Sequence, residues 1–245
     1  MEIGAPKATP QTHQLGGSHG KKNGEVNFPT PDNQCAGRPA TPQGVRAARV
    51  SSPWAPTPMP APAEPPRILL TGPPGCGKTT VILRTLPLLS QPAAGFYTEE
   101  MRSRGGGGRQ GFDVVALDNR RGPLARVGLP GPRVGKYAVD LESFEAVGVR
   151  ALETGLREPR TLLVIDELGK MEFLSAGFVA LLERAFLSPN PLLGTVLYRP
   201  HPVAERFREV PGVELIQVTS RNRDALPAEL AGRLSARPPV YRPLR

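Results

Sequence analysis

The order of apolar and glycine-rich segments predicts an α/β fold, with a parallel or mixed central sheet flanked by helices. Three observations support this class. Ile68–Thr71 is a short apolar run that precedes a glycine–proline turn and a helix opening at Lys78. Thr161–Ile165 is β-prone and apolar on both faces, which is typical of a central strand. Strand and helix patterns then alternate, as in parallel sheets: a helix at Phe178–Phe186 and buried strands at Leu192–Leu197 and Val213–Val218.

The segments between these elements can be assigned in order. Pro87 is expected to end or kink the first helix early, because a proline lacks the amide proton that the helix needs. Gly95–Thr98 is predicted to be a strand, and Gly111–Leu117 its hairpin partner across the glycine turn Gly105–Gly108. Leu141–Leu156 is predicted to be a helix.

Proline and glycine divide the chain into a predicted leader and one predicted domain. Residues 1–66 contain 13 Pro and 7 Gly, a composition typical of segments that cannot bury a core. We therefore expect a disordered leader at residues 1–66, one folded domain at 67–235 and a flexible tail at 236–245. The proline-rich end of the leader, Ser51–Pro66, is interpreted as a tether, with a ligand for a proline-binding module as the alternative.

Composition excludes several classes of protein. No run of about 18 apolar residues is present, so no membrane span is expected. The first residues lack the basic and apolar regions of a secretory signal, and only Cys35 and Cys76 are available for disulfides. We therefore expect an intracellular, cytoplasmic protein. The net charge of +9 is interpreted as dispersed surface charge; binding to nucleic acid is possible but not required.

A phosphate-binding loop follows the first predicted strand. The segment matches the Walker A pattern G-x-x-x-x-G-K-[ST] in a strand–turn–helix context. Its glycines let successive backbone N–H groups point inward at a phosphate, and the helix dipole adds positive charge. Lys78 is expected to reach the β- and γ-phosphates, and the Thr79 hydroxyl to bind Mg²⁺. The predicted nucleotide-binding residues here are Gly72, Pro73, Pro74, Gly75, Cys76, Gly77, Lys78, Thr79 and Thr80.

Two acidic residues end the central strand predicted at Thr161–Ile165. Asp166 is expected to hold Mg²⁺, and Glu167 to polarise a water molecule for in-line attack on the γ-phosphate. The alternative for Asp166 alone is a turn or helix cap. The chain between the two motifs, Gly95–Leu117, is predicted to place at least one strand between the phosphate-loop strand and the Asp166 strand.

Seven segments, in this order and spacing, resemble a known family. They are Leu70–Thr80, Gly95–Arg102, Gly111–Val115, Arg133–Tyr137, Val164–Glu172, Gly194–Val196 and Val218–Arg223. Over about residues 67–235 the chain resembles the cancer-related nucleoside-triphosphatase of animals and its small relatives in archaea and thermophilic bacteria. The resemblance implies a P-loop, RecA-like fold and slow Mg²⁺-dependent hydrolysis of several nucleoside triphosphates. The chain departs from that pattern in its leader, in Pro87 and in Leu197–His201.

Further side chains are candidates for the site, each with a simpler alternative. Gly169 and Lys170 follow the acidic strand closely enough to contact a nucleotide. Glu100 and Arg102 either face the γ-phosphate or form a structural ion pair. Arg109 either folds over phosphate or lies in a solvated loop. Arg223 either lines the base or phosphate site or belongs to the charged surface.

Three functions remain open on the sequence. The first is a monomeric nucleoside-triphosphatase that hydrolyses ATP, GTP, CTP and UTP, with Glu167 and Lys78 as catalytic residues. The second is a nucleotide or nucleoside kinase, for which the Arg102–Arg109 hairpin would be the lid. The third is a nucleotide-dependent switch that binds a protein or nucleic acid. No motif sets the selectivity for the base.

Overall fold

The computed structural model describes residues 64–103 and 108–235, and nine of its strands form one sheet. The strands are β1 (Arg67–Thr71), β2 (Ala93–Arg102), β3 (Arg109–Ala116), β4 (Arg121–Val127), β5 (Arg133–Val134), β6 (Tyr137–Val139), β7 (Leu162–Leu168), β8 (Leu192–Val196) and β9 (Val213–Gln217). Residues 1–63 and 236–245, and with them nearly all of the predicted leader and the whole predicted tail, lie outside the described residues. So does most of the turn at Gly105–Gly108.

Helices cover both faces of this sheet. They are α1 (Lys78–Thr85), α2 (Leu141–Phe144), α3 (Arg150–Arg157), α4 (Ala176–Leu187), α5 (Pro202–Arg208) and α6 (Leu226–Ser235). A π-helical turn at Glu145–Val149 joins α2 to α3, so the predicted helix at Leu141–Leu156 is present but irregular. Pro87 lies in a 3₁₀ turn directly after α1, which confirms that the first helix ends early.

The sheet has a parallel part and an antiparallel part. Its strand order is β5-β6-β4-β3-β2-β7-β8-β1-β9. The five strands from β2 to β9 in this order run parallel to one another, whereas β3, β4, β6 and β5 pair antiparallel. The predicted mixed α/β sheet is therefore confirmed. The carboxyl ends of the parallel strands meet at one edge, which is where open α/β sheets bind ligands.

Side chains on the central strands alternate between two buried clusters. In β7, Leu163 and Ile165 pack into the cluster under α3 and α4, and Leu162 and Val164 pack into the cluster under α1 and α6. In the first cluster, the rings of Phe96, Phe144 and Phe178 meet edge to face, with centroids 5.2 to 5.8 Å apart. Strand β7, which contains Asp166, is therefore held on both faces.

Two predictions about the strands were wrong. One strand does lie between β1 and β7, as expected, but it is β8, which comes later in the chain, and not the segment Gly95–Leu117. That segment forms β2 and β3 on the far side of β7. The segment Val213–Val218 was predicted to be buried, but β9 is an edge strand and Leu215 is 46% exposed.

Candidate active site

The turn between β1 and α1 forms the predicted phosphate loop. Gly72, Gly75 and Gly77 have φ angles of 151°, 77° and 106°, a region of backbone conformation that favours glycine. At Gly72 space is also restricted, because a Cβ would lie 2.8 Å from both the Cys76 Sγ and the Val218 carbonyl oxygen. The glycines are therefore required by the shape of the loop.

The first turn of α1 places Lys78 and Thr79 beside this loop. The Lys78 ammonium donates a hydrogen bond of 3.2 Å to the Gly72 carbonyl oxygen, so its side chain folds back over the loop. The Thr79 hydroxyl donates a hydrogen bond of 2.7 Å to Asp166. Two motifs separated by 87 positions in the chain thus meet at one point.

Asp166 is the buried acid of the site, with 2% of its surface exposed. Burial raises the pKa of its carboxyl group, and hydrogen bonds from Thr195 and Thr79 act in the opposite direction. The Thr195 hydroxyl, on β8, donates a hydrogen bond of 2.6 Å to the second carboxylate oxygen. Thr195 was not among the predicted site residues, although it lies near the end of a buried strand and within Gly194–Val196, one of the segments that carry the family resemblance.

Glu167 follows Asp166 through a cis peptide bond and lies on the same side of the site as Lys78. Burial raises the pKa of the Glu167 carboxyl group, the nearby Lys78 ammonium lowers it, and the negative charge of Asp166 raises it. The net direction is upward. A carboxylate with a raised pKa is a stronger base, which suits a group that must accept a proton.

A third acid, Glu172, lies beside this pair and was not assigned a role from the sequence. It is 5% exposed, and its Oε2 would be 2.5 Å from a Cβ at Gly169, so it packs directly against that glycine. Burial raises the pKa of Glu172 to about 8, and the charges of Glu167 and Asp166 contribute in the same direction. Glu172 is therefore largely neutral at neutral pH.

Replacement of Glu172 should change the way in which the free energy of unfolding depends on pH. A carboxyl group with a pKa of 4.5 in the unfolded chain and about 8 in the folded chain makes the free energy of unfolding fall as the pH rises between these values. The slope is at most about 1.4 kcal/mol per pH unit. Glu172→Gln removes this ionisation. As the pH rises from about 5 to about 8, we therefore expect the free energy of unfolding of the variant to increase relative to that of wild type.

Urea unfolding of both proteins across this pH range measures the effect. Glu158→Gln is the matched control, because Glu158 is an exposed carboxyl group at the end of α3. It should follow wild type at every pH. An unchanged pH dependence in Glu172→Gln would show that Glu172 ionises normally in the folded chain.

Glu100, Arg102 and Arg109 form an ion-paired cluster on the β2–β3 hairpin. For Glu100 and Arg102 an ion pair was the predicted alternative to a substrate contact, whereas for Arg109 the predicted alternative was a solvated loop. Glu100 lies 2.7 Å from the Arg102 Nε and 2.5 Å from an Arg109 Nη. The hydrogen bond from Arg109 lowers the pKa of Glu100, and the Arg109 guanidinium also lies 5.4 Å from the Phe112 ring centroid. The structure thus shows the ion pairs; a contact with phosphate stays a prediction.

The other predicted residues are Gly169, Lys170 and Arg223. They follow β7 and β9, whose carboxyl ends lie at the edge of the sheet that holds the phosphate loop. Gly169 packs on Glu172, and Lys170 is exposed beside it. Arg223 lies against Gly77 of the phosphate loop, although it is 146 positions further along the chain.

The segment Leu197–His201, which departs from the family pattern, runs from the end of β8 to α5. The His201 ring accepts a hydrogen bond from the Val203 N–H and stacks on Phe173 with centroids 5.2 Å apart.

The oxygen atoms at the meeting point of the two motifs fit a magnesium ion. Mg²⁺ prefers oxygen ligands and is usually held by one or two carboxylates together with substrate phosphates. The Thr79 hydroxyl and the buried Asp166 carboxylate, 2.7 Å apart, supply such oxygens next to the phosphate loop. Thr195 fixes the orientation of the carboxylate from the other side.

Comparisons with known proteins agree with this geometry. A family model described as NTPase matches residues 67–231. Nucleoside-triphosphatase THEP1 of Thermotoga petrophila is 46% identical over 165 residues, which are 67% of this chain and 90% of that protein. Cancer-related nucleoside-triphosphatase of Homo sapiens is 41% identical over 175 residues, covering 65% of this chain and 91% of the human protein.

Solved structures show the same fold. The crystal structure of THEP1 from Aquifex aeolicus superposes with a TM-score of 0.64 at 32% identity, over 69% of this chain and 99% of that chain. The solution structure of a human cancer-related nucleoside triphosphatase has a TM-score of 0.58 at 40% identity, over 68% and 96% of the two chains. The sheet and its phosphate loop are those of a P-loop NTPase, as predicted. This chain belongs to the nucleoside-triphosphatase family, and is a hydrolase of nucleoside triphosphates.

The helices give no sign of a membrane span. Among residues 64–103 and 108–235, none of them combines the length and the apolar character that crossing a bilayer requires.

Proposed function

We propose that this chain hydrolyses ATP, GTP, CTP and UTP to the nucleoside diphosphate and phosphate in a Mg²⁺-dependent reaction, with Glu167 as the general base. The observation that supports this most directly is the 2.7 Å hydrogen bond between Thr79 and Asp166, because it brings the phosphate loop and the acidic strand into one site. Glu167 is the next residue after Asp166 and is close enough to Lys78 for that charge to lower its pKa.

The phosphate loop and Lys78 would bind the triphosphate. The loop N–H groups that follow Pro73 and Pro74, together with the amino end of α1, would surround the β-phosphate, and Lys78 would leave the Gly72 carbonyl to contact the β- and γ-phosphates. Thr80, exposed on the first turn of α1, and Lys170 are further proposed contacts. Thr79 and Asp166 would hold Mg²⁺, which would supply positive charge next to the triphosphate.

Glu167 would act on the attacking water. Its carboxylate accepts a proton as the water oxygen forms a bond to the γ-phosphorus, and the bond from that phosphorus to the β–γ bridging oxygen breaks. The negative charge that develops on the leaving diphosphate is stabilised by Lys78 and by the loop N–H groups. The proton on Glu167 is then released together with the phosphate. This order of events needs no second substrate as acceptor.

Phosphate release by the purified protein tests the proposal. We expect release from each of the four nucleoside triphosphates when Mg²⁺ is present, and none when the ion is chelated. Formation of the nucleoside diphosphate and a phosphorylated acceptor, without free phosphate and only when a nucleotide or nucleoside acceptor is added, would instead identify a kinase. Tight nucleotide binding without turnover would identify a switch. A single active nucleoside triphosphate among the four would contradict the proposed breadth of substrate.

A further inference from the structure

Arg223 lies across the point where the phosphate loop becomes helix α1. Its Cδ is 3.6 Å from the position that a Cβ at Gly77 would occupy, so the arginine side chain runs along the glycine. Arg223 is exposed, and within the described chain its guanidinium makes no hydrogen bond or ion pair. The planar guanidinium of Arg223, without a partner among the described residues, thus lies next to the phosphate loop.

The loop that holds Arg223, residues 218–224, is fastened to the phosphate loop. The Val218 N–H donates a hydrogen bond of 2.7 Å to the Thr71 carbonyl oxygen, at the residue where β1 enters that loop. The Gly72 backbone packs against the Val218 carbonyl so closely that a Cβ would lie 2.8 Å from its oxygen. Arg223 is therefore held in a fixed relation to bound phosphates.

Three other polar side chains of this loop, those of Thr219, Asn222 and Asp224, are already paired within the described residues. The Asn222 Oδ1 accepts hydrogen bonds from the Thr219 N–H and hydroxyl at 2.8 and 3.1 Å, and its Nδ2 donates to the Gln217 carbonyl at 2.8 Å. Asp224 lies 3.4 Å from Arg84. The amide of Asn222 and the carboxylate of Asp224 are thus committed, whereas the Arg223 side chain lies against Gly77 of the phosphate loop.

The order of the strands indicates which part of a nucleotide lies beside Arg223. The groups proposed for the γ-phosphate, Asp166, Glu167 and Lys78, lie at the ends of β7 and at the start of α1, on one side of the phosphate loop. The loop at 218–224 follows β9, which lies on the other side of β1. If the γ-phosphate of a bound nucleotide points toward β7, the base at the other end of the nucleotide extends away from β7 and toward β9.

We propose that Arg223 stacks its guanidinium plane on the base of the bound nucleoside triphosphate. This inference rests on the proposed nucleotide site and adds the contact that determines how the base is held. Stacking on an arginine plane uses the face that every base has, and it does not read hydrogen-bond edges. A site built in this way accepts purines and pyrimidines, because the contact that holds the base does not depend on the hydrogen-bonding groups at its edge.

Equilibrium binding separates a base contact from a phosphate contact. The probes are non-hydrolysable β,γ-imido analogues of ATP, GTP, CTP and UTP, with inorganic tripolyphosphate as a probe that has no base. Arg223→Ala is expected to weaken binding of all four analogues by about tenfold, or about 1.4 kcal/mol. It should leave tripolyphosphate binding unchanged. Arg223→Lys keeps the charge but lacks the plane, so it should lose as much as Arg223→Ala.

Arg223→Tyr supplies a plane without the charge and is expected to restore most of the affinity for the analogues. Arg221→Ala, an exposed arginine of the same loop, is the matched control and should bind like wild type. Equal weakening for tripolyphosphate and the analogues would overturn the proposal in favour of a phosphate contact. Unchanged binding in Arg223→Ala would overturn it as well.

The same measurements distinguish this inference from the proposed hydrolysis. Binding of the analogues does not depend on turnover, so a wild-type protein that binds them but releases no phosphate from ATP contradicts the hydrolysis alone. A wild-type protein that binds tripolyphosphate as tightly as every analogue contradicts the stacking alone.

Discussion

Glu167→Gln is expected to lower the rate of phosphate release from bound nucleoside triphosphate by about 10²- to 10⁴-fold, the usual contribution of a positioned general base. Glutamine has nearly the shape of glutamate but cannot accept the proton of the attacking water. Affinity for the nucleotide should stay near that of wild type, because the proposed phosphate contacts are made by the loop and Lys78. Single-turnover phosphate release and analogue binding, measured on the same preparation, give the two quantities.

The matched control is Glu158→Gln, which removes an exposed carboxylate at the end of α3. It is expected to release phosphate at the wild-type rate. If Glu167→Gln releases phosphate like wild type while it binds nucleotide, Glu167 is not the base. If the affinity for the nucleotide falls as much as the rate of phosphate release, Glu167 contributes mainly to binding of the substrate.

Lys78→Ala is expected to lower kcat/KM for each nucleoside triphosphate by about 10²- to 10³-fold, a typical cost of removing one group that stabilises developing charge. The Lys78 ammonium has one hydrogen bond in the structure, to the Gly72 carbonyl oxygen, and its side chain is half-buried. Its loss should therefore cost no more than about 1 kcal/mol of folding stability. Steady-state kinetics and thermal unfolding test the two expectations together.

Lys136→Ala serves as the control for loss of a lysine, because Lys136 lies in the turn between β5 and β6 of the antiparallel part. It should leave kcat/KM unchanged. A Lys78→Ala protein that is folded and as active as wild type would rule out the proposed contact with the β- and γ-phosphates. A protein that has lost its cooperative unfolding would show that Lys78 is needed for the fold of the loop.

The sequence predicted the strands of the parallel part of the sheet, and in the antiparallel part it predicted only the β2–β3 hairpin. Buried strands such as β7 are apolar on both faces and could be recognised without their neighbours. In β4, Gly122 and Pro123 look like a turn, yet Pro123 is tolerated because the β3–β4 pairing shifts register there, opposite Asp113. Helix α5 was missed because it starts at Pro202 within a proline-containing stretch, although proline is favoured at that position.

For the site, residues with a fixed spacing could be predicted and residues brought in by the fold could not. The phosphate loop and Asp166 have local patterns, and the structure brings them together. Thr195 and Glu172 lie in segments that carry the family resemblance, but no spacing rule assigns them a role. Thr195 reaches Asp166 only because β8 lies beside β7, and Glu172 is buried only because the chain turns back at Gly169. The strand order was misassigned in detail because parallel strands adjacent in space need not be adjacent in sequence.

The position of the catalytic strands within the sheet has a consequence for local opening of the chain. β1, β8 and β7, which place the phosphate loop, Thr195 and Asp166, each pair with a strand on both sides, and the edges are formed by β5 and β9. Fraying begins at edges, where few contacts are broken, whereas separation of β7 from β8 breaks the centre of both apolar clusters. Amide protons of these three strands should therefore exchange with solvent only when the whole sheet opens, so the geometry of Asp166 and of the phosphate loop should persist through smaller fluctuations.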